Sequence, residues 1–267
     1  MKNLKRYLRL YKALASQFLK MIVQSKVDFI MGLFGFLFSE LLGLVFLVLV
    51  FRQIPDLQGW TFDQLVFIYG FAQIPRGIDH LFTDNIWLVA WRYVINGSFD
   101  RYMLRPMNVF FQVISEKLQP DALGELLIGF TLVGISLGKG IVIVDFAHVV
   151  LFIVSVIAGA IIYTSIKLFF ATIAFWVKIS GPFLQVAYDM AQFAKYPTEI
   201  YAKPIKFIIT WIIPFAFVAY LPASYFLKST VSPISTVGVE CVIAVVFFGI
   251  AYGVFTWGIR CYESAGN

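Results

Sequence analysis

Six long apolar stretches, 29–51, 62–82, 118–138, 146–177, 207–227 and 234–259, alternate with short polar gaps along the chain. A helix rises 1.5 Å per residue, so about 20 apolar residues cross the ~30 Å hydrocarbon core of a bilayer. Each stretch reaches that length. The pattern predicts an all-α polytopic membrane protein with six transmembrane helices. The second stretch is the least apolar, holding Gln73, Pro75, Arg76, Asp79 and His80, and it is retained because the charge alternation fails without it. The fourth, at 32 residues, exceeds the bilayer and should tilt or project beyond Lys167, whose ammonium can snorkel to the interface. The fifth contains Pro214 and Pro222, with Pro233 following; each proline removes a helix hydrogen bond, so a broken, re-entrant outer segment is expected between spans five and six.

The gaps also carry an orientation. Of 21 Lys and Arg residues, sixteen lie in the N-terminal tail, the even gaps and the C-terminal tail. Seven of them precede the first span, from Lys2 to Lys26. The second gap holds Arg92, Arg101, Arg105 and Lys117; the fourth holds Lys178, Lys195, Lys203 and Lys206; Arg260 follows the last span. The odd gaps hold only Arg52, Lys139 and Lys228. By the positive-inside bias, both termini and the even gaps face the cytoplasm. Residues 4–22 place Leu4, Tyr7, Leu8, Tyr11, Leu14, Phe18 and Ile22 at helical spacing beside scattered lysines and arginines. Residues 1–26 therefore read as an amphipathic interfacial helix, followed by one membrane domain over 27–267. The first apolar stretch is too long for the core of a signal peptide and lacks a cleavage site, so it is expected to stay as an anchor. Residues 182–195 read as a second interfacial helix, with Phe183, Val186, Ala187, Met190, Phe193 and Ala194 on its apolar face.

Composition agrees with a lipid-solvated chain. Sixty per cent of residues are hydrophobic and 13% charged, against about 25% charged in a soluble domain. The net charge of +6 belongs to the cytoplasmic gaps and needs no nucleic acid to explain it. Cys241 and Cys261 form no metal-type spacing, His80 and His148 stand alone, and no phosphate-binding loop, dinucleotide turn or nucleophile elbow occurs. No catalytic residue, metal site or cofactor of this chain is expected. What remains at membrane depth is Glu40, Arg76 and Asp79. Ionisable groups there face a bundle interior or a watery cavity; Arg76 and Asp79, three residues apart, can pair on one helix face. This set reads as a structural lock between the first two spans, or as the lining of a translocation path. Glu240, near the start of the last span, is expected to reach the outer headgroups.

The second gap is the most informative loop. Its residues run from Trp87 through Trp91 to Tyr93 with few charges, then continue as GSFDRYMLRP, Gly97 to Pro106. Gly97 suits a helix stop and Ser98 a helix N-cap. Phe99, Tyr102 and Met103 would then share a face, leaving Asp100, Arg101 and Arg105 for a partner. This run resembles the coupling-helix region of ABC-2 type transporter permeases, between their second and third spans. FAKYPTEIY (Phe193 to Tyr201) with IIPFAFVAYLPA (Ile212 to Ala223) is similar to a branch of that family in which two different permeases accompany one ATPase. The resemblance implies an exporter half in the bacterial cytoplasmic membrane, partnered by a second permease and by an ABC ATP-binding subunit in two copies. ATP and magnesium would be bound on that subunit. Trp91, Gly97, Phe99, Asp100, Arg101, Tyr102, Arg105 and Pro106 would form the coupling surface, and Pro214, Pro222 and Pro233 the outer re-entrant segment. The residues leave other classes open: a self-sufficient secondary transporter or channel using Glu40, Arg76 and Asp79 as an ion or proton site, or a scaffold subunit with no pathway.

Overall fold

A computed structural model describes residue 16, residues 26–227 and residues 232–264, and all its regular elements among these residues are helical apart from one bridge between Leu57 and Trp60. The expected helix over 4–22, and Lys228 and Ser229, lie outside them. In chain order the α-helices are α1 Lys26–Phe51, α2 Phe62–Thr83, α3 Ile86–Leu88, α4 Asp100–Met103, α5 Val109–Glu116, α6 Leu123–Gly138 and α7 Phe146–Thr172. There follow α8 Ala174–Val177, α9 Gly181–Asp189, α10 Lys203–Phe207, α11 Tyr220–Leu227 and α12 Val239–Cys261. Among the described residues, four helices are long and apolar enough to cross a membrane: Phe29–Phe51, Pro120–Gly138, Phe146–Val177 and Ile234–Cys261. Their bounds agree with the apolar stretches to within about two residues.

The least apolar long helix is the central one. Fifteen of the 22 residues of α2 are buried, and Thr61 opens it with a reciprocal cap: its hydroxyl accepts from Gln64 N while Gln64 Oε1 accepts from Thr61 N. Against α6 the approach is set by small residues. A Cβ on Gly129 would stand 2.7 Å from Ile74 and 3.0 Å from the Gly70 carbonyl, so only glycine lets these backbones meet. Asp145 caps α7 through His148 N, and that backbone bond holds its carboxyl below the usual range.

After α8 the structure departs from the expected order. Lys178 takes a left-handed φ of 69° and the chain reverses. The Ser180 N–H donates to the Ala90 carbonyl and its hydroxyl to the Ala171 carbonyl, seating this turn against the π-helical turn Val89–Tyr93 and the end of α7. From there α9 and the 3-10 turn Met190–Lys195 climb through the bundle. Tyr188 reaches Asp79, and Lys195 reaches Glu40, halfway along α1. Glu199 ends beside the Tyr220 hydroxyl, and Tyr220 packs edge-on to Trp60, at the far end of the bundle. Residues 181–200 thus run from end to end, and position 200 sits with the Trp60 loop and not with the second gap.

The stretch 207–227 is not one straight helix. Lys203–Ile212 and Phe215–Leu227 are bent by 73° at Ile213–Pro214. Ile212 and Ile213 lie beside Phe169 and Phe170 of α7 and Ile250 of α12, at the hairpin's deepest point. The return leg passes Tyr163 with Phe215 and Gly159 with Val218, and finishes with Tyr225 stacked on His148. The chain enters and leaves at one end. Pro214 makes the break as expected, whereas Pro222 occupies the first turn of α11, where a missing N–H costs nothing. Pro233 opens the π-helical turn Ile234–Gly238 that leads into α12.

Candidate functional site

Two groups of residues fall where function was expected, and they differ in kind. At mid-depth an ionic core joins α1, α2, α6, α7 and the ascending segment. Glu40 is its hub: Tyr69 Oη donates to Oε2 at 2.7 Å, Gln73 Nε2 at 2.5 Å and Lys195 Nζ at 2.9 Å, with Arg76 Nη1 3.5 Å from Oε1. Arg76 also faces Glu125 at 3.4 Å, and His80 Nδ1 lies 2.9 Å from the same carboxylate. Asp79 forms the second node. Lys167 Nζ stands 2.8 Å away, Thr83 and Thr164 donate to Oδ1, and the Tyr188 hydroxyl donates to Oδ2. Lys167 extends to Asp84 at 3.2 Å and is fully buried.

Glu40, Arg76 and Asp79 are therefore brought into one core, but not as foreseen. Arg76 pairs with Glu40 and Glu125, while Asp79 pairs with Lys167; the two α2 residues point to different partners. Lys167 does not snorkel, because Asp79 and Asp84 meet its charge inside the bundle. Lys195, counted above among cytoplasmic charges, is the pin that holds the ascending segment to α1. Glu240 reaches no headgroup either: it is buried against Ser155 of α7, 2.5 Å away. The face of 182–195 that enters the protein is Leu184, Ala187, Tyr188, Ala191, Ala194 and Lys195, whereas Phe183 and Val186 stay exposed. Glu125, Lys167, Tyr188 and Lys195 were missed as site residues. Their signal was present as polar residues spaced along apolar helices, but each partner lies between about 45 and 155 positions away in sequence.

The second group forms a shelf below α2. Its anchor is aromatic. Phe99 and Tyr102 are fully buried; Phe99 packs against Phe175 at 4.9 Å, and the Tyr102 hydroxyl donates to Glu116. Gly97 has the left-handed φ of 72° that its position as a stop requires. Ser98 is not the cap of α4, since its hydroxyl donates to Asn96 instead and Phe99 takes the cap position. Arg101 is held by Glu116 at 2.7 Å and lies over the Tyr93 and Tyr102 rings. Asp100 accepts from Ser264 at 2.6 Å. Trp91 is half covered, with its indole pressed on Gly181, where no Cβ would fit. Of the expected coupling residues, Trp91, Arg101, Arg105 and Pro106 are exposed, Trp91 and Arg101 being held by contacts within the chain; Arg92, Met103 and Leu104 join Arg105 and Pro106 on the open edge, Leu104 at 84% exposure. Met103 therefore leaves the face it was expected to share with Phe99 and Tyr102.

No curated protein and no solved structure matches the chain. A family model described as ABC-2 family transporter protein matches residues 37–266, which takes in the ionic core, the shelf, the ascending segment and the hairpin. The chain is a multi-pass membrane protein and belongs to the ABC-2 family of transporter proteins.

Proposed function

We propose that this chain is one transmembrane half of an exporter in the bacterial cytoplasmic membrane, driven by a separate ATP-binding subunit present in two copies and completed by a second permease, a distinct paralogue. ATP and magnesium belong to the ATPase. The observation that carries the reading is the shelf: Phe99 and Tyr102 are buried and Arg101 is held by Glu116, while Arg92, Met103, Leu104, Arg105 and Pro106 form an exposed apolar and basic edge. An anchored element with one bare edge suits transmission of a partner's movement. The ionic core serves this reading as a lock, since each of its carboxylates faces at least one basic side chain. A secondary transporter would need one such group to exchange its partner for an ion.

This reading takes six crossings and both ends cytoplasmic, with 181–200 in place of 207–227 as the fifth. Lys203 and Lys206 then join the outer side and Lys195 the interior. The bias persists through the N-terminal tail and the second gap. In intact cells, Ile200→Cys and Leu57→Cys should both react with an impermeant thiol reagent, and Ser98→Cys should not; protection of position 200 alongside labelling of position 57 would return the fifth crossing to 207–227.

The exporter reading is tested by affinity purification from mild detergent. Wild-type protein should bring down an ATPase and a second permease. The pair Leu104→Asp and Arg105→Glu should lower ATPase recovery about tenfold, as loss of a contact hot spot does, with membrane insertion unchanged. Undiminished recovery would remove the edge from the interface. Transport by the isolated chain along an ion gradient would replace this reading with the secondary transporter.

A further inference from the structure

The shelf is continuous with α2 in sequence, so its movement would be expected to pass up α2. The packing shows a second connection, to α12. After α12 ends, Tyr262 places its ring 5.3 Å from Phe99 and 5.7 Å from Phe175, and Ser264 donates to Asp100. One level up, Asn108 Nδ2 donates to the Tyr252 hydroxyl at 2.7 Å. Phe110 of α5 sits among Phe248, Tyr252 and Phe255, with ring centroids 5.8–6.1 Å away. Gly258 completes the joint, because a Cβ there would lie 2.6 Å from Phe175 and 2.9 Å from Thr172. The shelf thus grips the lower half of α12 from its side and from beyond its end.

The residues of α12 interleaved with those contacts give that grip a destination. Phe247 and Ile250 flank a largely apolar crevice whose other walls are Ser165, Ile166, Phe169 and Phe170 of α7 and the hairpin tip, Ile212 and Ile213. The tip lies at the 73° bend, where Pro214 donates no backbone hydrogen bond. The element facing α12 there is broken in its helical hydrogen bonding.

We propose that α12, with Tyr262–Ser264 strapped to the shelf, is an output arm of the coupling element and carries its displacement to the hairpin tip. The inference rests on the reading of the shelf as the ATPase-docking element. It assigns Tyr262, Ser264, Asn108 and Tyr252 as positioning residues for coupling: they touch neither the ATPase nor the cargo, and they hold shelf and helix as one body.

The test uses the full chain in complex with its co-purified ATPase and second permease in lipid nanodiscs, with Cys241→Ser and Cys261→Ser. Spin labels at Trp211→Cys and Val246→Cys, both exposed positions, report the distance between tip and helix. Trapping the ATPase with ATP and vanadate should change that distance. Tyr262→Ala combined with Ser264→Ala should abolish the change while the ATPase still co-purifies and hydrolyses ATP. Asn108→Leu provides a second cut elsewhere in the joint and should act in the same direction. Tying the strap through an Asp100→Cys, Ser264→Cys disulfide should leave the change intact, because the joined parts move together. The proposal is overturned by an undiminished change in both cut variants, by a change that the disulfide blocks, or by no change in the unmodified complex. Absence of a co-purifying ATPase strikes the docking reading itself, which separates the two failures.

Discussion

α1 and α2 lie side by side and obey opposite rules. α1 is strongly apolar, and only 11% of its most hydrophobic window is buried by protein; Phe34, Phe38, Leu41 and Phe46 stand more than half exposed. α2 carries Gln73, Arg76, Asp79 and His80 and is enclosed along most of its length. In water this ordering would be reversed, since apolar side chains gain by leaving the solvent. In a bilayer the solvent is itself apolar, so apolar residues gain little by packing inward, and unpaired polar groups are what must be hidden. Hydropathy therefore reports which helix faces lipid. Polarity within a span reports which helix holds the bundle together.

The sharpest way to break this comparison is Lys167→Met. The substitution leaves Asp79 buried with only hydroxyl donors and Asp84 half-answered, and losing one partner of a buried ion pair costs about 3–5 kcal/mol. Denaturation by SDS titration in mixed micelles should show a large loss of stability, and Asp79→Asn in the same chain should restore part of it. A single variant as stable as wild type would mean the core does not hold α2 to α7.

Much of this architecture was legible in the sequence, and the failures share one cause. α1, α7 and the Pro214 break follow from local properties: a run length, a helix rise, a missing N–H. Glu40, Arg76 and Asp79 were recognisable as buried because no lipid-facing position tolerates them. Their partners were not. Lys195 meets Glu40 across 155 positions and Lys167 meets Asp79 across 88, so a lysine on either helix reads as an interfacial residue until the fold supplies its counter-charge. The same blindness touched 182–195, which read as an interfacial helix because Tyr188 and Lys195 were weighed without Asp79 and Glu40, the acceptors that await them, while 207–227 looked like one straight apolar run and is bent by 73°. The shelf shows the converse: charges that read as free for a partner, Asp100 and Arg101, are used within the chain.

A smaller effect sharpens the packing side of the comparison. Gly129→Val places branched carbons where α2 and α6 already touch, 3.0 Å from the Gly70 carbonyl, and overpacking of this kind costs about 1–3 kcal/mol. The same titration should register it. Gly134→Val on α6, where nothing lies within 4 Å of the added carbon, is the matched control and should cost less. Helix propensity favours valine over glycine at both positions, so equal losses at the two glycines would remove the close backbone approach as the cause.

The smallest expected effect falls on α1. Phe38→Leu exchanges one apolar side chain for another at a position 66% exposed; if its surroundings are acyl chains, the transfer terms nearly cancel and stability should stay within about 0.5 kcal/mol, as for surface substitutions generally. Phe38→Asp at the same position puts a charge at mid-bilayer and should impair insertion, by about 3 kcal/mol on insertion scales. The pair separates lipid from protein as the covering medium. A second permease packed on this face would make Phe38→Leu leave a cavity, and the loss would appear only in the assembled transporter. Measuring both variants alone and in the co-purified complex therefore decides whether the bare face of α1 is solvated by lipid throughout or is where the other half of the transporter sits.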